Sequence, residues 1–255
     1  MEVSHQELFD FLEAKYGQYN SPEFIETDPI SVPHRFKRKE DIEIAAFLTA
    51  TISWGNRMSI VKDAEKLIDR MDLSPYEFIL HAGRRETEQF ESFYHRTFNG
   101  TDCIFFLKSL KNIYIHHGGL ESLFIPGRKN GIKDALCFFR SVFLETDHLK
   151  RSEKHLADPG KGASAKRLLM FLRWMVRDDK RGVDFGLWKK IQPSALLCPL
   201  DVHSGNVARK LGLLKRKQND WKAVEELTEN LRKFDPQDPV KYDFALFGLG
   251  VFERF

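Results

Sequence analysis

The stretch from Lys39 to Trp54 limits the possible folds more than any other part of the chain. Its apolar residues recur on nearly every side of a helix: Ile42, Ile44, Ala45, Ala46, Phe47, Leu48, Ala50 and Ile52. A helix that is apolar all round has to be covered on all sides by other elements. The stretch therefore predicts a central core helix.

Helical periodicity dominates the rest of the sequence. Apolar residues three and four positions apart predict amphipathic helices bounded by turn residues. The predicted helices are His5 to Tyr16, Met58 to Met71, Pro75 to His81, Asp102 to His116, Asn130 to Glu145, Ala165 to Val176, Val183 to Lys190, Asp201 to Leu213, Asp220 to Phe234 and Pro239 to Phe255. Strand-like alternation is too weak to build a sheet, so the predicted fold class is all-α.

Size and composition favour an ordered protein. The 255 residues are 42% hydrophobic and include 22 Phe, enough apolar surface to fold as one helical domain or two interleaved lobes. The sequence has no apolar run of about 18 residues and no signal pattern, so we expect a cytoplasmic protein without membrane association.

The three cysteines, Cys103, Cys137 and Cys198, are odd in number and widely spaced. This pattern argues against a disulfide framework and against zinc or iron–sulfur ligand spacing. We therefore predict buried thiols and no metal, iron–sulfur cluster or other cofactor.

Positive charge is concentrated in one part of the chain. Between His148 and Lys217 there are 17 Lys and Arg residues against six Asp and Glu, a local charge of +11 in a chain whose total is +3. Such a block on an otherwise acidic protein indicates a surface for a polyanion, most often nucleic acid. The charge alone is equally compatible with a solvated, lysine-rich face.

A glycine-rich turn, Pro159 to Ser164, precedes the helix predicted from Ala165 to Val176. Glycines before a helix N-terminus let backbone N–H groups point outward, and the helix dipole favours an anion there. The turn is not a Walker loop, because the Gly-Lys-Ser/Thr ending is missing. It predicts either a phosphate contact or a simple turn.

Three cations of that helix share one face. Lys166, Arg173 and Arg177 are separated by seven and four residues, which places them within about 20° of one direction. A lysine at the start of such a helix, beside a phosphate-ready turn, is suited to be an amine nucleophile. The alternative is a cationic stripe that faces water.

Asp201 follows Pro199 and begins the next apolar-periodic segment, which predicts a helix N-cap. An ionised carboxylate in a cleft can deprotonate an attacking amine or stabilise a cationic sugar transition state. The alternative is that Asp201 only caps the helix.

Two tryptophans, Trp54 and Trp174, are candidates for stacking on a nucleotide base. Trp54 stands in a Trp-Gly-Asn turn between two predicted core helices. It can act there as a wedge, or it can pack across the helix pair.

Two motifs around the predicted N-cap resemble a known family. Residues Leu200-Asp201-Val202-His203 and then Asn206 to Leu213 are similar to the Val-Asp-Thr-His … Arg-Val-Ala-x-Arg-Leu-Gly-Leu signature of helix-hairpin-helix DNA glycosylases, the endonuclease III and 8-oxoguanine glycosylase superfamily. Glu43 to Thr51 resembles the opening core helix of that superfamily, and Tyr242 to Val251 resembles its closing helix. The chain also resembles an uncharacterised bacterial family of unknown function, whose hallmark is Ala165 to Arg177.

This resemblance implies a single two-lobed, all-α unit with a central cleft. Approximate bounds are 39–200 for the core lobe, with the hairpin at 158–177, and 1–38 plus 201–255 for the other lobe. The residues implied to contact DNA are Gly160, Lys161, Gly162, Ser164, Arg173, Arg177, His203 and Arg209. Ser164 occupies the usual position of the hairpin lysine, and Lys166 lies two residues further on.

The resemblance also implies a DNA base-excision glycosylase, with or without lyase activity, on double-stranded DNA carrying a damaged base such as an oxidised purine. Lys166 would attack C1′ of a flipped-out nucleotide and expel the base, with Asp201 as its paired carboxylate. One alternative is a non-catalytic nucleic-acid-binding protein on the same scaffold. Another is an all-α enzyme that acts on small phosphorylated molecules. The sequence indicates neither the lesion nor the oligomeric state.

Overall fold

Helices carry most of the regular structure, which confirms the predicted all-α class. The structure is a computed structural model and describes residues 4–125 and 131–255. Its α-helices are α1 (His5–Tyr19), α2 (Pro22–Thr27), α3 (Lys39–Ile52), α4 (Arg57–Asp69), α5 (Pro75–His81), α6 (Arg84–Glu88), α7 (Gly100–His116), α8 (Leu120–Phe124), α9 (Ile132–Phe143), α10 (Lys166–Val176), α11 (Val202–Lys210), α12 (Trp221–Arg232) and α13 (Asp243–Val251). The predicted start of α9 at residue 130 lies outside the described residues.

Short elements complete the fold. The 3₁₀ turns are Pro29–Ser31, Pro33–Arg35, Lys150–His155, Pro159–Lys161, Pro193–Ala195 and Pro239–Tyr242. Strands β1 (Tyr94–His95) and β2 (Phe98–Asn99) form an antiparallel hairpin. The sequence did not predict this hairpin, because two-residue strands are too short to show alternation. No helix within the described ranges is long and apolar enough to cross a membrane.

The chain forms two compact units. The terminal unit contains the N-terminal residues up to Phe24 together with Pro159–Phe255, and the middle unit contains Ile25–Asp158. This grouping differs from the predicted lobes, which placed residues 39–200 together. The physical reason is that arginines of α10 form ion pairs with aspartates near the C-terminus, so α10 packs with the terminal elements.

Helix α3 is the centre of the middle unit, as its composition predicts. Ile44 to Phe47 are fully buried. The Phe47 ring stacks on Phe106 at 6.0 Å and meets Phe139 edge-on at 5.5 Å. Such ring pairs add to the free energy gained by burial of the rings.

In the terminal unit, α1 and α11 both pack against α13. The helix predicted from Val183 to Lys190 is wrong, because this segment is an irregular connection whose amides bond to the end of α10. The Phe185 amide donates to the Trp174 carbonyl at 2.8 Å, and the Trp188 amide donates to the Met175 carbonyl at 2.9 Å. These bonds satisfy carbonyls that a helix C-terminus leaves without partners.

Candidate active site

Lys166 is the first residue of α10 and follows a strained residue. Ala165 has a left-handed conformation with φ of 52°, and its side chain is buried. This conformation costs an alanine about 1 kcal/mol, so the surrounding packing must hold it in place. The strained turn fixes the direction in which Lys166 leaves the backbone.

Asp201 is the N-cap of α11, as predicted. Its Oδ1 atom accepts a hydrogen bond from the Ser204 amide at 3.0 Å, and its own amide donates to Ser204 Oγ at 3.0 Å. This reciprocal arrangement is a capping box. Because the cap uses Oδ1, the second carboxylate oxygen is left for another partner.

Lys166 is the partner of the second carboxylate oxygen of Asp201. Its Nζ atom lies 3.7 Å from Asp201 Oδ2, and the two side chains are 25% and 28% exposed. Nζ also lies 3.7 Å from the sulfur of Met170. The structure therefore brings the two predicted catalytic residues together within the terminal unit, where both side chains are partly exposed.

Arg209 supports Asp201 through Asn219. The Asn219 side chain donates to the Asp201 carbonyl at 2.9 Å and accepts from Arg209 Nη2 at 2.6 Å, while Arg209 Nε donates to the Arg216 carbonyl at 2.8 Å. A Cβ on Gly205 would lie 2.8 Å from Asn219 Oδ1, so a larger residue here would displace the Asn219 side chain. Arg209 is half-buried, and its Nε and Nη2 donors are used in these internal bonds, so its contact with DNA stays a prediction.

Arg173 and Arg177 lie in the interior rather than on a DNA-facing surface. They are 4% and 0% exposed. Arg173 donates to Asp243 and, at 3.3 Å, to Asp184, whereas Arg177 donates to Asp184 at 2.6 Å and to Asp238 at 3.0 Å. Their predicted role as DNA contacts therefore does not fit these positions. The spacing that placed them on one face with Lys166 did not reveal that the face is buried.

Burial and charge act against each other in this arginine cluster. Burial raises the pKa of Asp184, while Arg173 and Arg177 oppose the rise. For Arg177, burial favours the neutral form, but Asp184 and Asp238 together raise its pKa well above the usual value. Because the effect of the aspartates exceeds that of burial, Arg177 stays charged although it is buried.

The glycine-rich turn is partly accessible. Gly160 and Lys161 are exposed, whereas Gly162 and Ser164 are half-buried. Gly162 has φ of 89°, a conformation that favours glycine, and its carbonyl accepts from the Trp221 amide at 2.9 Å. The turn is thus fixed to the start of α12. A 3₁₀ turn rather than an α-helix precedes it in sequence.

His203 is exposed two residues after Asp201 and packs against the end of α13. Its Cβ lies 3.1 Å from the place where a Cβ on Gly250 would stand. The structure therefore leaves the His203 ring available on the surface near the candidate active site.

The two tryptophans differ. Trp174 is fully buried, so its ring is not accessible to a base. Its Nε1 atom has no hydrogen-bond partner among the described residues. Trp54 is half-buried in the middle unit, where its ring meets His95 edge-on at 5.0 Å. This contact matches the packing alternative for Trp54.

Asp243 belongs to the site but was missed by sequence reasoning. It is the first residue of α13, is 7% exposed and is bonded by Arg173. Burial raises the pKa of its carboxyl to about 6, Arg173 and Lys166 oppose the rise, and Asp201 adds to it. The sequence signal for Asp243 is an aspartate at the start of a strongly apolar segment. Such a segment predicts a closing core helix and gives no indication of a role for its first residue.

Metal-ligand groupings and reactive thiols are not evident at this site. No three His, Cys, Asp or Glu residues are grouped to hold a metal ion within residues 4–125 and 131–255. Cys103 and Cys198 are buried as predicted, whereas Cys137 is partly exposed. Burial raises the pKa of the Cys198 thiol well above its ordinary value, which disfavours the reactive thiolate.

The family of this chain can be stated from its sequence. Residues 28–252 match the family described as Protein of unknown function (DUF2400). The match covers well over half of the chain, so the protein belongs to this family, which confirms the predicted membership in a family of unknown function. No curated protein and no solved structure matches the chain.

Proposed function

We propose that the protein is a DNA base-excision glycosylase of the helix-hairpin-helix type, with Lys166 as the nucleophile and Asp201 as its paired carboxylate. The observation that carries this proposal is the 3.7 Å distance between Lys166 Nζ and Asp201 Oδ2, at a partly exposed position. An amine this close to a carboxylate can lose its proton through a small movement. The free amine would then attack C1′ of the deoxyribose while the bond from C1′ to the base breaks, and the released base would take up a proton.

The terminal unit also carries exposed cations that suit a polyanion. Lys210, Lys215 and Lys217 are exposed and form no ion pair with any acid of the described residues. Phosphate contacts from such cations, together with the exposed Lys161, would offset the few kcal/mol that nucleotide flipping costs. Because Arg173 and Arg177 are buried, the accessible basic surface is smaller than the local charge of the sequence suggests.

The order of the motifs supports the same function. The likeness to the glycosylase signature covers Leu200 to His203 and Asn206 to Leu213, and core helices before and after it also match in order. The two-lobed glycosylase fold with its central cleft is part of this proposal.

Borohydride trapping on DNA duplexes that carry abasic or oxidised sites tests the nucleophile. We expect a covalent adduct with the wild type, none with Lys166→Gln, and an undiminished yield with the control Lys62→Gln, which removes an exposed cation of the middle unit. Asp201→Asn should slow base release. If both the Lys166 and the Asp201 variants keep normal activity, the site assignment is wrong.

A non-catalytic nucleic-acid-binding protein is the second candidate. It is favoured by the 3₁₀ turn in place of an α-helix before the glycine-rich turn, and by Ser164 at the position of the hairpin lysine. This candidate predicts salt-dependent DNA binding without adduct or base release over a broad lesion panel. If DNA does not bind even at low salt, an enzyme for small phosphorylated molecules becomes the better hypothesis.

A further inference from the structure

Asp243 is a buried carboxylate that the proposed reaction does not yet use. Its side chain is 10% exposed, and Arg173 donates to its Oδ2 atom. Burial of a carboxylate is costly unless a cation pairs with it, and Arg173 is the cation that pairs with Asp243.

Two packing relations bring Asp243 near the Lys166 and Asp201 pair. Arg173, which holds Asp243, lies on α10 seven residues after Lys166 and so on the same helical face. Helix α13, which begins with Asp243, packs against α11, which Asp201 caps. The start of α13 is therefore held from both helices that carry the candidate active site.

The charges near Asp243 agree with this arrangement. The charges of Arg173 and Lys166 on α10 lower the pKa of Asp243, and the charge of Asp201 at the N-cap of α11 raises it. Asp243 in turn raises the pKa of the Cys198 thiol, in the segment before that cap. Burial raises the pKa of Asp243 to about 6, so its charge changes near neutral pH.

We propose that Asp243 is a positioning residue for Lys166. Its carboxylate, anchored by Arg173, attracts the Lys166 ammonium from the interior, while Asp201 attracts it from the partly exposed side. Lys166 is then held between a fixed buried carboxylate and a second carboxylate that also caps a helix. The meaning of this role for catalysis rests on the proposed glycosylase function, whereas the charge interaction itself can be measured without DNA.

Chemical labelling of Lys166 tests the interaction. The full chain is methylated with formaldehyde and cyanoborohydride between pH 6 and 10, and modification of Lys166 is measured by mass spectrometry. Loss of a nearby negative charge makes an ammonium easier to deprotonate, so Asp243→Asn should lower the labelling midpoint by about half a pH unit or more. The control Asp238→Asn, which removes a partner of Arg177 at the other end of α10, should leave the midpoint unchanged. Equal midpoints in the wild type and Asp243→Asn would overturn the proposal.

A reciprocal measurement covers the case in which Asp243→Asn does not fold. Lys166 is partly exposed, so Lys166→Gln should fold, and carbon-13 NMR can follow the Asp243 carboxyl in it and in the wild type. Loss of the ammonium should raise the titration midpoint of Asp243 by about half a pH unit. An unchanged midpoint contradicts the proposal. Neither measurement uses DNA, so a failed borohydride trapping experiment counts only against the glycosylase function.

Discussion

The two ends of helix α10 carry the same kind of charge in opposite environments. At the first residue, Lys166 is a quarter exposed and faces one partly exposed carboxylate, Asp201. At the other end, Arg173 and Arg177 are buried among several aspartates. One cationic face thus holds a partly exposed amine at one end and buried, ion-paired guanidinium groups at the other.

This difference shows what decides the role of a cation on a helix. Arginine stays charged when buried and offers several donors in a fixed plane, so it suits the interior cluster. Lysine has one compact charged group that can lose its proton, so it suits a site for chemistry. The three predictions below test whether the two ends are as different as their surroundings indicate.

The largest effect is expected at the buried end. Arg177→Met removes the charge that faces Asp184, a fully buried carboxylate, and should lower the free energy of unfolding by about 3–5 kcal/mol. Urea denaturation measures this change. The control is Lys189→Met, whose exposed pair with Asp178 should contribute below about 1 kcal/mol. Similar losses in the two variants would mean that burial does not distinguish these pairs.

A pH-dependent effect of intermediate size is expected from Asp243. Burial raises the pKa of its carboxyl from 3.8 to about 6, so the folded chain binds this proton more tightly than the unfolded chain. The stability that this tighter proton binding contributes is fully present below pH 3.8 and is lost as the pH rises through about 6. Relative to Asp243→Asn, which does not titrate, the wild type should lose about 2 kcal/mol of unfolding free energy between pH 4 and 7. Parallel stability curves would contradict this expectation.

The smallest effect on stability is expected at the exposed end. Lys166→Gln breaks a partly exposed ion pair at 3.7 Å, which should change the free energy of unfolding by less than about 1 kcal/mol. Thermal and urea unfolding measure this directly. A loss as large as that of Arg177→Met would show that Lys166 is a structural residue rather than a candidate nucleophile.

Much of the fold could be predicted from apolar spacing. Helix α3 is central as its composition predicts, because residues that are apolar on all sides have no other stable position. The segment from Val183 to Lys190 could not be predicted, because its backbone binds carbonyls at the end of the preceding helix, α10, and not carbonyls of its own. Local spacing contains no information on such partners.

Prediction of the candidate site from local residue spacing is limited in the same way. The N-cap role of Asp201 follows from its position after Pro199 and before a periodic segment, so the sequence predicts it. The burial of Arg173 depends on Asp184 and Asp243, and Asp243 is 70 residues away. The sequence therefore predicts which residue types could carry chemistry, but not which of them reach the surface.

The division of the terminal unit between the two ends of the chain determines the order in which the protein can fold during synthesis. The middle unit is continuous from Ile25 to Asp158 and can form as soon as that segment has left the ribosome. Helix α1 is made before the middle unit, yet it packs against α13, which is made after that unit. Helix α1 must therefore wait, with its apolar face uncovered, until α13 has been made.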